Sequence, residues 1–258
     1  MKHPSSLWWS ASRPLVIAHR GACLRAPEDT LAAFRLAIEM GADGIELDAK
    51  LSADGEVVII HDPTLDRTTD GSGPVGARTL QELKALDAGA SFSPEFAGER
   101  IPTLDEVFDA LGGRCVINVE MTNYASPRDM LPHRVVAVVR RFQVENRVLL
   151  SSFNPFALRS AKRLAPDLPL GLLLGPGQPW WMRLVFPLIA PHESLNLHDS
   201  LVREETPRRL RRAGRKFIPW TVNNAERIRW LLSAGVDAII TDAPDGALEI
   251  RKDVVWHA

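Results

Sequence analysis

Cysteine is scarce in this 258-residue chain, which has only Cys23 and Cys115. Two cysteines cannot build a disulfide framework, and their scarcity fits a reducing compartment. They read as lying near opposite ends of neighbouring strands, too far apart to bridge, and so as free thiols. Apolar runs long enough to span a bilayer are also missing. The most apolar stretch, Pro179-Trp-Trp-Met-Arg-Leu-Val-Phe-Pro-Leu-Ile-Ala190, is broken by Arg183 and Pro187. Short runs of this kind are usually core, so burial or packing against a substrate loop is expected in preference to peripheral lipid contact through 179–190. The opening MKHPSSLWWSASRP lacks the apolar centre of a signal peptide, which points to a cytoplasmic protein. Neither sign of charge dominates: 31 Lys and Arg stand against 32 Asp and Glu. That balance gives no reason to expect a nucleic-acid partner. No Gly-rich phosphate loop follows the first strand, which weakens a doubly wound open sheet.

What is present is periodic. Leu15-Val-Ile-Ala18 reads as a strand ending on His19-Arg20-Gly21. Leu31 to Met40 reads as a helix, capped by Asp29 or Thr30 and closed by Gly41. Gly44 to Asp48 is the second strand. Residues 62–100 form a polar, Gly- and Pro-containing insertion with one helical stretch, Thr79 to Asp87. Thr103 and Glu106 then make a capping box. Strand and helix alternate from there, with strands near 115, 147, 168, 194, 217 and 236. Adding those near 15 and 44 gives eight strand–helix units, the pattern of an α/β (β/α)8 barrel. No linker or shift of composition divides the chain, so residues 1–258 are read as one domain with an insertion at about 62–100.

The chemistry gathers around DGIELDAKLSADGEVVIIHD, residues 43–62. Glu46 and Asp48 alternate onto one face of a strand. Asp54-Gly55 signals a two-residue hairpin loop. Partners across it would sum to 109, which sets Asp48 opposite His61. Alone, this is as readily a solvated hairpin with a structural histidine. In a barrel, however, active sites lie where strands end. His19 and Arg20, Glu46 and Asp48, Glu120, Ser151 and Ser152, Trp220 and Asp242 all fall at such ends, and His61 returns to the same face. Three carboxylates suit Mg2+ or Ca2+. Two histidines suit acid–base catalysis, and Arg20 offers a planar fork for a phosphate. Together they describe cleavage of a phosphate ester. Ser151 and Ser152 read as hydrogen-bonding lumen residues, since no histidine–acid relay stands beside them. His198 reads as structural, and the other histidines receive no role. The cluster Arg208, Arg209, Arg211, Arg212, Arg215, Lys216 reads as a solvated face near a helix C-terminus.

These residues also carry a resemblance. HRG at 19–21, PEDT at 27–30, GIELD at 44–48, VVIIHD at 57–62, LDRTT at 65–69, IPTL at 101–104, NVE at 118–120, SSF at 151–153, WTVN at 220–223 and GVDAIITD at 235–242 resemble the glycerophosphodiester phosphodiesterase family, within the PLC-like phosphodiesterase superfamily. The likeness runs from about residue 15 to 245. It implies a TIM barrel, a divalent cation (usually Ca2+ or Mg2+) and hydrolysis of a small glycerophosphodiester to an alcohol and sn-glycerol 3-phosphate. Residue by residue, it implies that His19 and His61 are catalytic. Arg20 would bind phosphate, Trp220 would wall the substrate site, and Glu46, Asp48 and Glu120 would hold the metal. It leaves open whether the glycerol 2-hydroxyl or water attacks. Two departures stand out. Asp29 replaces the family's usual asparagine, a mild change if it caps the helix. Thr122 replaces its usual lysine, and by alternation shares the lumen face with Glu120. That loss could be offset by Arg25 or Arg67. Alternatives are a lysophospholipid-directed phosphodiesterase and a weakly active phosphodiester-binding protein.

Overall fold

The computed structural model describes residues 6–254 apart from 125, 127 and 128. Its strands are β1 (Leu15–His19), β2 (Gly44–Leu51), β3 (Val57–Ile59), β4 (Val116–Met121), β5 (Val148–Ser152), β6 (Leu170–Leu174), β7 (Ser194–Leu197), β8 (Lys216–Phe217) and β9 (Ala238–Thr241). All but β3 run parallel, in the order β8-β7-β6-β5-β4-β2-β1-β9. The two ends meet through backbone hydrogen bonds: Asp237 N to Phe217 O (3.0 Å), Ile240 N to Pro219 O (3.0 Å) and Val222 N to Ile240 O (2.9 Å). The result is a TIM barrel of eight parallel strands. Its strands are apolar on both faces, as parallel strands under helices must be. One face packs on the helices, while Leu15, Ile17, Val116, Leu149, Ile218, Ala238 and Ile240 cluster together with Trp8.

The helices are α1 (Leu7–Ser10), α2 (Leu31–Glu39), α3 (Leu80–Ala85), α4 (Leu104–Leu111), α5 (Leu131–Phe142), α6 (Pro155–Leu164), α7 (Trp180–Ile189), α8 (Thr206–Arg212), α9 (Ala225–Ser233) and α10 (Pro244–Lys252). The Thr103–Glu106 capping box forms on α4, and Thr79 with Glu82 makes a second on α3. Helix α1 is not signalled by sequence periodicity. It carries Trp8, which is 1% exposed and whose Nε1 donates to Arg147 O at 2.9 Å. The insertion after β3 has an apolar centre of its own, with Leu65, Val75, Leu83 and Ala88 packed on Val58, Ile60 and Ile101.

Four sequence expectations need correction. The hairpin pairs Ala49 with Ile59, Lys50 with Val58 and Leu51 with Val57, so partners sum to 108. Ser52 N closes the loop onto Glu56 O, and Gly55 sits at φ 84°. A three-residue turn with a left-handed glycine replaces the two-residue one. Ile60, not His61, therefore bonds Asp48 O. The cysteines do not lie on neighbouring strands, because β2 separates β1 from β4, though both are free thiols. Thr30 caps α2, while Asp29 occupies φ 58° with its carboxyl buried. Helix α7 has no buried residue, so the most apolar stretch of the chain is a surface element rather than core.

Candidate active site

Each charged side chain of the barrel mouth is aimed by the end of its strand. At the end of β1 the backbone turns through Arg20 (φ 54°) and Gly21 (φ 82°). A Cβ on Gly21 would lie 2.6 Å from the carbonyl carbon of Ala33, so only glycine fits this bend against α2. The bend tips the His19 ring and the Arg20 guanidinium into the mouth. It also lets Arg20 N donate to Glu46 Oε2 at 3.2 Å. On β2 and β4, period-two alternation within each strand and the pairing of the strands bring Glu46, Asp48 and Glu120 together, with one oxygen of each within 4.8 Å of the others. Asp48 and Glu120 are direct partners across the two strands.

The two imidazoles are held alike. His19 Nδ1 donates to Asp242 Oδ1 at 2.6 Å, while its Nε2 lies 3.9 Å from Glu46 Oε2. Asp242 is itself fixed by Asn223 Nδ2 at 2.6 Å and by the Cys23 thiol. Burial works to raise the Asp242 carboxyl, but His19, Asn223 and Cys23 together hold it at about 2. As a carboxylate it accepts, so the His19 proton belongs on Nδ1 and Nε2 is left for the pocket. His61 Nδ1 donates to Asp62 Oδ1 at 2.7 Å. Arg67 binds Asp62 in turn and holds its carboxyl far below the usual range, with burial opposing. Arg67 also grips Glu28 with both terminal nitrogens, and Glu28 accepts from Arg20 Nη1 at 3.0 Å. An unbroken charged chain thus joins His61 to Arg20.

The carboxylate cluster does not satisfy itself. Burial, then the charge on Asp48, pushes the Glu46 and Glu120 carboxyls well above their ordinary range. Asp48 Oδ2 and Arg20 Nε lie 3.2 Å apart as an ion pair without hydrogen-bond alignment, and neither buried atom has a hydrogen-bond partner. Three hard oxygen donors, one of them a carboxylate oxygen without a hydrogen bond, suit a hard divalent cation whose remaining ligands come from water or substrate. Glu120 Oε1 accepts from Tyr124, the chain's one tyrosine.

Thr122 faces a cation after all. Lys50, two residues after Asp48 on β2, donates from Nζ to Thr122 Oγ1 at 2.6 Å. Thr122 spends its own hydroxyl proton on Ala49 O at 2.8 Å, which leaves the oxygen free to accept. Burial lowers the Lys50 pKa, opposed by Asp48 and Glu120. Arg25 and Arg67, the substitutes read from the sequence, are committed elsewhere, to Asp245 and to Glu28 with Asp62.

Aromatic rings close the other side. Trp220 donates from Nε1 to Asn196 O at 3.0 Å and meets Phe153 edge-on at 5.5 Å. His198 packs on its other edge, and Tyr124 packs on Phe153. A cavity of about 220 Å3 results. His19, Arg20, Glu46, Asp48, His61, Glu120 and Trp220, all singled out from the sequence, line it. Thr122 does not, and neither does its partner Lys50. Ser152 Oγ binds Met121 O, and Ser151 Oγ is buried without a partner. Sequence reasoning assigned no role to Lys50, Tyr124, Phe153 or Asn223, and noted Asp242 only as a strand end. Alternation from Asp48 was the signal available for Lys50.

A sequence profile of the Glycerophosphoryl diester phosphodiesterase family matches residues 19–246. The chain belongs to this family. A glycerophosphodiester phosphodiesterase of Caldanaerobacter subterraneus subsp. tengcongensis is 42% identical over 244 residues, 93% of this chain and 98% of that one. One from Bacillus altitudinis is 37% identical over 93% of this chain and 98% of its own length. Among solved structures, an Oleispira antarctica phosphodiesterase in complex with the product sn-glycerol-3-phosphate superposes with a TM-score of 0.85. It is 34% identical and covers 93% of this chain and 98% of its own. The protein is therefore an enzyme, a glycerophosphodiester phosphodiesterase of the TIM-barrel class, and its family generally uses a divalent cation.

Proposed function

We propose that the enzyme hydrolyses small, water-soluble glycerophosphodiesters to an alcohol and sn-glycerol 3-phosphate, with His19 and His61 as the acid–base pair. The observation that carries this reading is the paired imidazoles, each with Nδ1 held by a carboxylate and both lining the cavity of the carboxylate cluster. One Nε2 removes a proton from the attacking hydroxyl, whether of water or of the glycerol, and the other delivers one to the departing alcohol. Asp242 and Asp62 steady the imidazolium that forms at each. Glu46, Asp48 and Glu120 would hold Ca2+ or Mg2+, which when bound draws charge off the phosphoryl oxygens. Arg20 supplies fixed positive charge beside the phosphate, and Lys50, which interacts with Asp48 and Glu120, adds to the field without lining the cavity. Trp220 and Phe153 give the glycerol carbons an apolar wall. The Oleispira relative, solved with the product sn-glycerol-3-phosphate, supports that choice of product.

A cavity of about 220 Å3 suits a glycerophosphoalcohol better than an acylated substrate. The histidine pair, each with its carboxylate partner, argues against a binding protein without turnover. Cys23 and Cys115 are free thiols, in keeping with the reducing, cytoplasmic setting read from the sequence. The test is glycerol 3-phosphate release from glycerophosphocholine with Ca2+, with Mg2+ and with chelator, beside His19→Ala. Release that needs a cation and disappears in the variant supports the reading. Release that persists in chelator or in His19→Ala rejects the metal or the histidine role respectively.

A further inference from the structure

Helix α7 is the apolar element that the fold leaves uncovered. Trp180, Leu184 and Leu188 are 68%, 62% and 84% exposed, and Trp181 and Val185 are exposed beside them. Large apolar side chains collected on one short helix mark a contact surface. The helix is bordered by cations on both sides. Toward α6, Leu188 and Ile189 share a groove with Arg159 and Arg163. Toward α8, Leu184 and Pro187 share one with Arg203 and Arg209. From residue 155 to 212 the chain carries nine Arg and Lys against five Asp and Glu, although its overall net charge is −1. An apolar ridge bearing tryptophan and flanked by arginine is the composition of an interfacial helix.

We infer that α7 docks the enzyme on an anionic phospholipid surface, with Trp180, Trp181 and Leu188 entering the headgroup boundary and the flanking arginines meeting lipid phosphates. A second copy of the chain is the poorer occupant, because a two-fold pairing of α7 on α7 would set the arginine borders against each other. Placement supports the lipid. The helix follows β6, whose Leu173 lines the cavity. A Cβ on Gly175, between β6 and α7, would lie 3.5 Å from the Trp220 ring. The docked face therefore begins beside the aromatic wall. A glycerophosphodiester is a diacyl phospholipid without its acyl chains, so deacylation at a bilayer is the class of reaction that supplies this substrate.

The test is co-sedimentation of the full chain with vesicles of phosphatidylcholine alone and of phosphatidylcholine with phosphatidylglycerol, at low and high salt. Two variants accompany it, Trp180→Ser/Trp181→Ser/Leu188→Ser and Arg159→Gln/Arg209→Gln. The expected result is binding to the anionic vesicles only, weakened by salt. Each variant should lose at least tenfold in partitioning, with unchanged melting temperature and unchanged hydrolysis of glycerophosphocholine. No binding by the wild-type chain, or binding unaffected in both variants, overturns the inference. So does a concentration-dependent dimer that the triple variant abolishes without any vesicle binding. Because hydrolysis of a soluble substrate is read separately, failure here leaves the catalytic reading intact.

Discussion

At the residue scale, the cation missing at Thr122 is present one strand away. Lys50 Nζ and Thr122 Oγ1 are 2.6 Å apart, so a lysine at position 122 would grow out from the spot where the Lys50 ammonium now ends, and either would carry positive charge into the same corner of the barrel. Lys50→Thr should lower kcat/KM by roughly 10–100-fold, the worth of one charge-assisted contact of about 1.5–3 kcal/mol. Thr122→Lys alone should gain nothing, since two ammonium groups would crowd together. The double exchange, Lys50→Thr with Thr122→Lys, should recover most of the lost activity. Kinetics on glycerophosphocholine decide it, and a double variant as poor as Lys50→Thr would show that the two positions are not equivalent.

Asp242 gives a second test at this scale. Its carboxyl is depressed to about 2, so it stabilises the fold at pH above its unfolded value of about 3.9. That contribution, on the order of 2 kcal/mol, fades as pH falls from about 4 to about 2. Asp242→Asn should therefore be less stable at neutral pH, and the gap to wild type should close over that acid window in chemical melts. Turnover should drop roughly 10²–10⁴-fold, because His19 loses the acceptor that fixes its tautomer. An Asn variant with wild-type kcat would mean Asp242 does not position His19.

Elements differ in how far the sequence discloses them. Period-two alternation is a local property, and it put Glu46 and Asp48 on one side without any knowledge of the fold, whereas Glu120 joined them only once the strands were read as a barrel. Capping boxes are equally local, and Thr103 with Glu106 forms as read. Register is not local. The Asp54-Gly55 pair points to a two-residue loop, but the Asp54 carboxylate accepts from Ser52 and from the α3 backbone at Leu80, which favours the longer turn. The His19–Asp242 pair joins residues 223 apart and the Lys50–Thr122 pair residues 72 apart, so both needed the strands assembled. Helix α7 misleads for another reason: hydrophobicity shows what a segment would gain from burial, but not whether a neighbour arrives to bury it. The bend after β1 is sensitive to a small change. Gly21→Ala forces a left-handed alanine against Ala33 and should cost roughly 2–4 kcal/mol in urea unfolding. A loss under about 1 kcal/mol would show that α2 can shift to admit the methyl group.

Over the whole molecule, the eight-unit count was legible because parallel strands must be joined by helices, and that alternation runs the length of the chain. Which strands meet last was not. The ring is uneven: β2 and β4 share six registered pairs, whereas β8 is regular for two residues and meets β9 through a few isolated bonds. That join lies among functional groups. Trp220 and Asn223 stand on the β8 side of it and Asp242 on the β9 side, with His19 beyond. The enzyme thus has a seam, and the seam passes through its proposed catalytic apparatus. On warming, a seam parts before the fabric does, so the grip on the His19 tautomer and the aromatic wall would slacken together while most of the barrel stayed closed. Heat would then appear first as a loss of selectivity and rate, and only later as unfolding.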